Sequence, residues 1–363
     1  MKRVLVISWF YPPVNSSEGV VTYKLLNNSK FEYDVFTQKN SDSWSYGKED
    51  YLENNKNINC IYSNSDNLKD WKKEAISYYK YNKDKYDVVM TRSMPPESHE
   101  IGYEIKKINP SVKWIASFGD PIANNPYVSL RKREYKINKN NFKYIVYCLK
   151  NYLIESRNNY LENKILNKVD YVILNSNYQK EHMLKNKDIN YLVLPHSYDE
   201  NLYSSKILKK DKNKITISYF GHLDEIRNIK LFLEAINDLV KEETKNKDKF
   251  IVELYGNIGK KDASYIKNNK LDSIVKYGNK VNYLESLQKM QETDLLLLVD
   301  ANLSYVMDEN IFFAAKLADY LGSGTPIMGI TMLSGVSADI LRETNNIVVT
   351  YSKSDIKNYK KNN

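Results

Sequence analysis

Short apolar runs alternate with longer amphipathic segments along the chain, and after a charged interruption the alternation starts again. In the first half the runs are Val4–Phe10, Tyr33–Thr37, Asp87–Thr91, Trp114–Phe118, Tyr171–Asn175 and Tyr191–Pro195. Helical stretches fall between most of them, including Val20–Leu26 and a long one near Phe142–Leu166. The interruption is Leu208–Lys214, which reads as a linker. Beyond it come the runs Ile215–Phe220, Phe250–Tyr255, Ile274–Tyr277, Leu295–Val299, Pro326–Ile330 and Ile347–Thr350, with helices through Leu231–Lys241 and around Ile311–Leu321. Strand–helix–strand order is the signature of parallel pairing, because parallel neighbours need a crossover long enough to hold a helix. The pattern predicts an α/β chain of two successive Rossmann-like, doubly wound parallel-sheet domains, residues 1–207 and 208–350, followed by a basic tail, 351–363. Ligands of such sheets bind beyond the carboxyl ends of the strands, so the loops there are where chemistry is sought.

Composition narrows the class. Of 363 residues 42% are hydrophobic and 27% charged, enough for ordinary cores and against global disorder. Cys60 and Cys148 are too few for a disulfide framework and too far apart for metal spacing, as expected of reduced thiols in the cytoplasm. The four histidines form no pair with ligand spacing, so no metal is expected. Met1-Lys2-Arg3 and the apolar run after it resemble a signal peptide only superficially. The run is short, ends at Pro12-Pro13 and lacks a small-residue cleavage site, so a first buried strand is expected. No stretch reaches the roughly 20 apolar residues of a membrane span.

The net charge of +9 is uneven. Residues 131–168 hold ten Lys/Arg against Glu134, Glu155 and Glu162, a net +7. Such a patch suits an anionic partner or is a solvated face; nucleic acid is the weakest partner, because no recognised motif accompanies the charge. The helix from Phe142 places Phe142, Ile145, Val146, Leu149, Tyr152 and Leu153 on one face, with Lys143, Lys150 and Arg157 elsewhere. That stripe fits an anionic bilayer surface, peripheral on the inner face of the cell membrane, or packing onto the domain's own core.

Three loops carry candidate chemistry. After the first strand, Ser16 or Ser17 can cap a helix while Gly19 allows close approach of a ligand to the backbone. The second domain opens with Tyr219-Phe-Gly-His-Leu-Asp-Glu-Ile-Arg-Asn228, where Gly221 keeps the turn open and Arg227 can grip phosphate oxygens with a planar fork. The stretch Glu309–Ile327 reads as a helix stopped by Gly322 and Gly324. With Asp308 or Asn310 as its cap, the amino end of that helix can direct N–H groups at phosphates. Asp319 can accept paired hydrogen bonds from ribose hydroxyls, or pair with Lys316.

"KLADYLGSGTPIMG" resembles the donor signature of retaining glycosyltransferases of family four, which have the GT-B fold. "YFGHLDEIRNIKLFLEAI" resembles that family's glycine–basic loop and following helix, and "VELYGN" with "VKYGNKVNYLESLQKMQETDLLLL" the elements after it. In the first half "ISWFYPP", "MPPESHEIG", "KWIASFGDP", "KVDYVILNSNY" and "LVLPHSYDEN" match family landmarks in order, so the likeness runs from Arg3 to about Thr350. It implies two domains facing a central cleft, with a nucleotide-sugar donor, a UDP-sugar expected, held by the second domain and a glycan or lipid-linked acceptor by the first. The implied reaction is hexosyl transfer in cell-surface polysaccharide synthesis, without a metal or other cofactor. Arg227 and His222 would stabilise the departing diphosphate, Asp319 would hold the ribose, and Asp120 would orient sugar or acceptor. His99 would contact donor or acceptor.

The departures matter too. The family often has two glutamates eight apart; here the second is Asp319 and the first position is Ile311, as in a subgroup with lysine three residues before the acid. Gly119-Asp120-Pro121 stands where relatives show arginine–aspartate–proline, and His196-Ser197 where they show asparagine–glycine. Such chains usually end in a helix crossing back to the first domain; Ser354–Asn363 is short and basic, so a missing or truncated crossover is expected. Ile311 and Gly119 favour a rival reading, a non-catalytic partner that stabilises or targets an active enzyme. An epimerase sharing the fold would need a carboxylate pair that the sequence does not reveal. His196 reads as structural and His182 as solvent-facing.

Overall fold

Leu5, Val6 and Ile7 are fully enclosed, and the first sheet is built around the strand that carries them, β1 (Arg3–Ile7). The structure, a computed structural model, describes residues 3–14, 16–27, 29–38, 55–138, 141–204, 214–224, 226–242, 248–352 and 356. The chain divides into two compact units, Met1–Ser197 and Tyr198–Asn363. All but the last residue of the linker expected at 208–214 and most of the tail 351–363 lie outside the described residues.

In the first unit β1 is followed by α1 (Ser17–Asn27), β2 (Glu32–Gln38), β3 (Ile58–Ser63), α2 (Leu68–Asn82), β4 (Val88–Arg92), α3 (Glu97–Ile108) and β5 (Lys113–Ser117). Then come α4 (Pro126–Asn138), α5 (Asn141–Leu166), β6 (Tyr171–Leu174), α6 (Asn177–Leu184) and β7 (Tyr191–Val193). The strands lie in the order β3-β2-β1-β4-β5-β6-β7, all parallel. The chain leaves β1 toward β2 and leaves β4 toward β5, so the winding reverses between β1 and β4. One core gathers Trp71 against Trp9 (ring centroids 5.2 Å, edge-on) and Phe36. Another gathers Trp114 and Phe118 with Leu161 and Ile165 from the carboxyl end of α5.

The second unit repeats the scheme with β8 (Ile215–Phe220), α7 (Lys230–Glu242), β9 (Phe250–Tyr255), α8 (Lys260–Asn268), β10 (Val275–Asn279), α9 (Tyr283–Glu292) and β11 (Leu295–Val299). It closes with α10 (Ala315–Ser323), β12 (Ile327–Ile330), α11 (Val336–Glu343) and β13 (Ile347–Val349). The strand order is β10-β9-β8-β11-β12-β13, again parallel, with its reversal between β8 and β11. α7 shows why these segments are helices: Phe232, Leu233, Ile236 and Val240 fall on one helical face and all are buried against the sheet. The two doubly wound sheets expected from the sequence are both present.

Two expectations are corrected. The helix expected around Ile311–Leu321 begins only at Ala315; Ile311, Phe312 and Phe313 are buried but not helical. Asn310 instead bridges Gly335 in an isolated parallel pairing, so neither Asp308 nor Asn310 caps the helix, whose N-cap is Ala314. The apolar stripe of α5 does not pack on the unit's own core: Phe142 is 75% exposed, Leu149 62%, Tyr152 70% and Leu153 69%.

Packing inside the first unit sets one sharp requirement. A Cβ on Gly102, in α3, would lie 2.3 Å from Nε1 of the fully buried Trp114. Helix propensity alone favours alanine over glycine by about 1 kcal/mol, but overpacking of this kind costs about 1–3 kcal/mol. The net sign is therefore destabilising: Gly102→Ala should lower the urea midpoint of unfolding, and a raised midpoint would show that the Trp114 ring can yield.

Candidate functional site

In the second unit the carboxyl ends of β8 and β11 converge on one cationic cluster. β8 ends at Gly221, whose φ of +125° is open to glycine and closed to most side chains. A Cβ there would also fall 2.6 Å from Nζ of Lys316, so the glycine is needed twice over. Its carbonyl in turn leaves no room for a side chain at Gly256, at the end of β9, where a Cβ would lie 2.3 Å away. Lys316, in the first turn of α10, donates to Tyr219 Oη at 2.7 Å and lies 4.2 Å from the centre of that ring. Tyr219 donates onward to the carbonyl of His222 (3.2 Å), so the lysine fixes the loop after β8 through one tyrosine.

Arg227 is presented by a turn that Asp224 builds. Asp224 Oδ1 accepts the backbone N–H groups of Ile226 and Arg227, both at 2.8 Å, and the N–H of Asp224 returns to the Arg227 carbonyl at 3.0 Å. The guanidinium comes near enough to Lys316 and Asp300 to act on both. Burial, with Arg227 adding to the effect and Asp300 opposing it, lowers the Lys316 ammonium to about 7. Asp300 follows β11 directly. Burial raises its carboxyl, and it accepts from Thr331 Oγ1 (3.0 Å) and Asn310 Nδ2 (3.4 Å). The amino end of α10 has no side-chain cap, so its first-turn N–H groups and the two cations can meet an anion together.

The other residues singled out in this unit take different places. The His222 side chain is exposed and contributes its carbonyl. Asp319 is buried, with Oδ1 accepting from Tyr283 Oη (2.9 Å) and its carbonyl accepting from Tyr203 Oη (2.9 Å). Lys316 therefore points to Tyr219, and the alternative pairing with Asp319 is not the one made. Tyr320 Oη ties β8 to β11 by accepting from the N–H of Phe220 (3.0 Å) and donating to the Leu297 carbonyl (3.3 Å). Gly322 lies so close under Tyr198 and Tyr203 that a Cβ would come within 2.6 Å of a ring, and Gly324 ends the helix at φ +70°.

In the first unit Ser16 caps α1, accepting from the Gly19 N–H at 3.0 Å. The space at Gly19 belongs to its own loop, since a Cβ would meet Ser16 Oγ at 3.0 Å and the Val14 carbonyl at 3.2 Å. His99 starts α3 as the sequence suggests, but it is fully enclosed rather than open to a ligand. Its Nδ1 meets Thr91 Oγ1 at 2.7 Å, its ring lies 4.4 Å from Phe118, and its Nε2 is buried without a partner. Burial depresses the imidazole to about 3, so it stays neutral. His182 is half-buried and meets the Asn124 carbonyl at 3.1 Å. His196 lines a cavity of about 150 Å³ with Lys24, Arg92, Ser117 and Asn175.

Asp120 comes close to a carboxylate that sequence reasoning did not single out, Glu18 in the first turn of α1. A first-turn acid is common enough to pass unnoticed; the signal lies in space, where Arg92 Nη2 reaches Glu18 Oε2 at 3.0 Å. Asp300 had a visible signal, an acid directly after an apolar strand. Among the described residues no group of three or more His, Cys, Asp or Glu side chains is placed to hold a metal ion, and no helix is long and apolar enough to cross a membrane.

No family model matches the sequence, and no curated protein matches it either. Solved structures do. Sucrose-phosphate synthase from Thermosynechococcus elongatus aligns over 99% of this chain and 89% of its own, with 13% identity and a TM-score of 0.68. A glycosyltransferase from Rickettsia africae aligns over 99% and 87%, with 15% identity and a TM-score of 0.62. An E. coli trehalose-6-phosphate protein bound with UDP-2-fluoro glucose aligns over 99% and 90%, with 10% identity and a TM-score of 0.63. At these identities the likeness is one of fold, and the fold is GT-B: two Rossmann-like parallel-sheet domains.

The shifted lysine has a measurable consequence. A diphosphate beside Lys316 favours the charged ammonium, so binding should raise its proton affinity and take up a proton near neutrality. Nucleoside diphosphate affinity, measured calorimetrically, should be highest below pH 7 and fall as pH rises above it. Lys316→Met should bind more weakly and lose most of that slope. An unchanged slope in the variant would assign the pH dependence to another group.

Proposed function

We propose that this chain is a glycosyltransferase that takes a sugar from a nucleotide donor, a UDP-sugar foremost, bound by the second unit, and passes it to a glycan or lipid-linked acceptor bound by the first. The observation that carries this reading is the joining of Arg227, Lys316 and the uncapped amino end of α10 beyond β8 and β11. When the bond from the sugar's anomeric carbon to the diphosphate breaks, negative charge grows on the departing oxygen. Two cations and a helix dipole fixed in advance stabilise that charge without reorganising. Arg227 is permanently charged, whereas Lys316 becomes fully charged as the diphosphate arrives. Asp319, whose carboxylate accepts from Tyr283, holds the ribose, and His222 contributes from the rim of the loop. No metal is needed for the charge balance in this scheme.

Release of nucleoside diphosphate from UDP-, GDP- and CDP-sugars, with and without a lipid extract as acceptor, tests the reading. Arg227→Ala should slow release by roughly a hundredfold or more, the scale for losing one transition-state contact. Donor affinity should fall far less, because the charge grows mainly during cleavage. Arg227→Lys should retain measurable turnover. If the wild type releases nothing from any donor while a partner enzyme needs it for activity, the non-catalytic reading replaces this one.

The place of action proposed is the cytoplasmic face of a membrane, in cell-surface polysaccharide synthesis. The support is α5, whose apolar stripe is open while Lys143 and Lys150 flank it on exposed positions. Its two glutamates are turned inward, Glu162 to the N–H groups of Ile122 and Ala123 and Glu155 to that of Asn124. A second copy of this helix would bring lysines to lysines with no acid to meet them, whereas an anionic bilayer supplies both the apolar layer and the charge. Sedimentation should show binding to vesicles containing acidic lipid and little to neutral ones. The binding should weaken with salt as the Debye length falls to about 8 Å near physiological ionic strength. Equal binding to both vesicles, or to neither at low salt, overturns the membrane assignment.

A further inference from the structure

Lys24 and Arg92 are cations taken almost wholly out of water, 6% and 3% exposed, and both line the cavity of about 150 Å³ in the first unit. The polar part of its wall comes from five segments. Lys24 belongs to α1, Arg92 ends β4, Ser117 ends β5, Asn175 follows β6, and His196 and Ser197 follow β7. The rest of the wall is apolar, and it contains no Asp or Glu. Every lining residue lies within Met1–Ser197, so the cavity belongs to the first unit alone. A wall with two cations and no acid favours an anion inside it.

Hydrogen-bond counting points the same way. A guanidinium carries five N–H donors, and Arg92 commits three of them. Its Nε donates to Thr22 Oγ1 (3.3 Å), Nη1 to Ser117 Oγ (2.8 Å) and Nη2 to Glu18 Oε2 (3.0 Å). Ser117 Oγ accepts from the arginine and keeps its own hydrogen to give. Asn175 Nδ2 gives one hydrogen to the Gly119 carbonyl (2.7 Å) and keeps the other. Among the described residues none of these remaining hydrogens meets an acceptor. Buried donors without acceptors are costly. Water would satisfy the hydrogens too, but the cations favour an anion over water. Glu18, the carboxylate that Arg92 meets, is not part of the wall, so it compensates the arginine from outside the cavity.

Size and geometry narrow the anion. Pockets for drug-sized ligands hold roughly 300–1,000 Å³, so this one takes a single small group and not a whole nucleotide. Its donors come from five segments and so from several directions, and they include a forked guanidinium. That suits a tetrahedral anion with several oxygens better than a flat carboxylate with two. We propose that this cavity is a phosphate site of the first unit, separate from the cluster of Arg227 and Lys316 in the second. Its occupant is either free phosphate or the phosphate group of a small phosphorylated molecule, and the chemistry of recognition is the same for both. The proposal goes beyond the glycosyl-transfer reading and does not rest on it.

The test is calorimetric titration of the full chain with inorganic phosphate at constant ionic strength, with acetate as the flat control. Wild type should bind phosphate saturably and acetate far more weakly. Lys24→Met, which keeps the length of the side chain, should weaken phosphate binding roughly 10–100-fold, the scale of one hydrogen bond to a charged group. Lys24→Arg should keep most of the affinity, and Ser117→Ala should lose a few-fold. Nucleoside diphosphate binding should be unchanged in all three, whereas Lys316→Met should weaken that binding and leave the phosphate site of the first unit intact. Trp9, Trp44, Trp71 and Trp114, the four tryptophans of the chain, all lie in the first unit. Wild-type tryptophan emission therefore certifies that a variant's first unit is folded, and Ser117→Ala decides if Lys24→Met is not. Glucose 6-phosphate and glucose 1-phosphate, with glucose as the uncharged control, separate the two sources. Tighter binding of either than of phosphate, lost in Lys24→Met, assigns the site to a phosphorylated molecule; weaker binding assigns it to the free anion. No saturable binding by wild type shows a cavity that holds water only and overturns the proposal. Acetate bound as tightly as phosphate, or phosphate binding untouched by Lys24→Met and Ser117→Ala, overturns it as well. Failure of the glycosyl-transfer reading shows separately, as absence of nucleotide binding and of diphosphate release.

Discussion

An ammonium group drawn out of water must find compensation, and the arrangement of the second unit follows from how Lys316 finds it. The charge rests against the face and hydroxyl of Tyr219, over a residue that has no side chain to obstruct it. The same glycine carbonyl closes on Gly256, so β8 and β9 end level with each other and the loop after β8 begins from a fixed point. Asp224 then folds that loop into the turn that carries Arg227. Replacing any one of these small or polar residues would disturb the position of a charge that none of them carries.

The first unit solves a like problem, a guanidinium buried beneath the ends of β4 and β5, with a carboxylate from a helix distant in sequence. The two units thus share a topology but present opposite electrostatic faces at their switch points. One gathers cations around an open helix end; the other gathers carboxylates around a single sealed arginine.

The sequence made most of the fold legible, because buried parallel strands are nearly continuous apolar runs and their loops are short. β3 escaped because it is a half-buried edge strand, whose exposed Asn59 binds Asp34 (2.8 Å) and breaks the apolar run. The start of α10 was misread because Ile311, Phe312 and Phe313 look like a helix face, while the residue before them is paired with Gly335 far along the chain and the helix begins only at Ala315. In the candidate sites Gly221, Arg227 and Lys316 were readable, since each follows a strand or opens a helix. Glu18 and Arg92 were not, because neither residue is unusual in its own segment and their meaning is a contact between them. The exposure of the α5 stripe was open for the same reason: periodicity tells which residues share a face, and only the packing tells what that face meets.

The central place of β1 has a consequence for how the chain is made. Leu5 and Val6 are sealed between β2 on one side and β4 on the other, with Leu5 opposite Val89. At a synthesis rate of about 5–20 residues per second the ribosome delivers β4 roughly 4–16 s after β1. For that interval the strand has a partner on one edge at most. A nascent chain built this way depends on the tunnel, on chaperones or on transient cover of that edge until the sheet can close around its first strand.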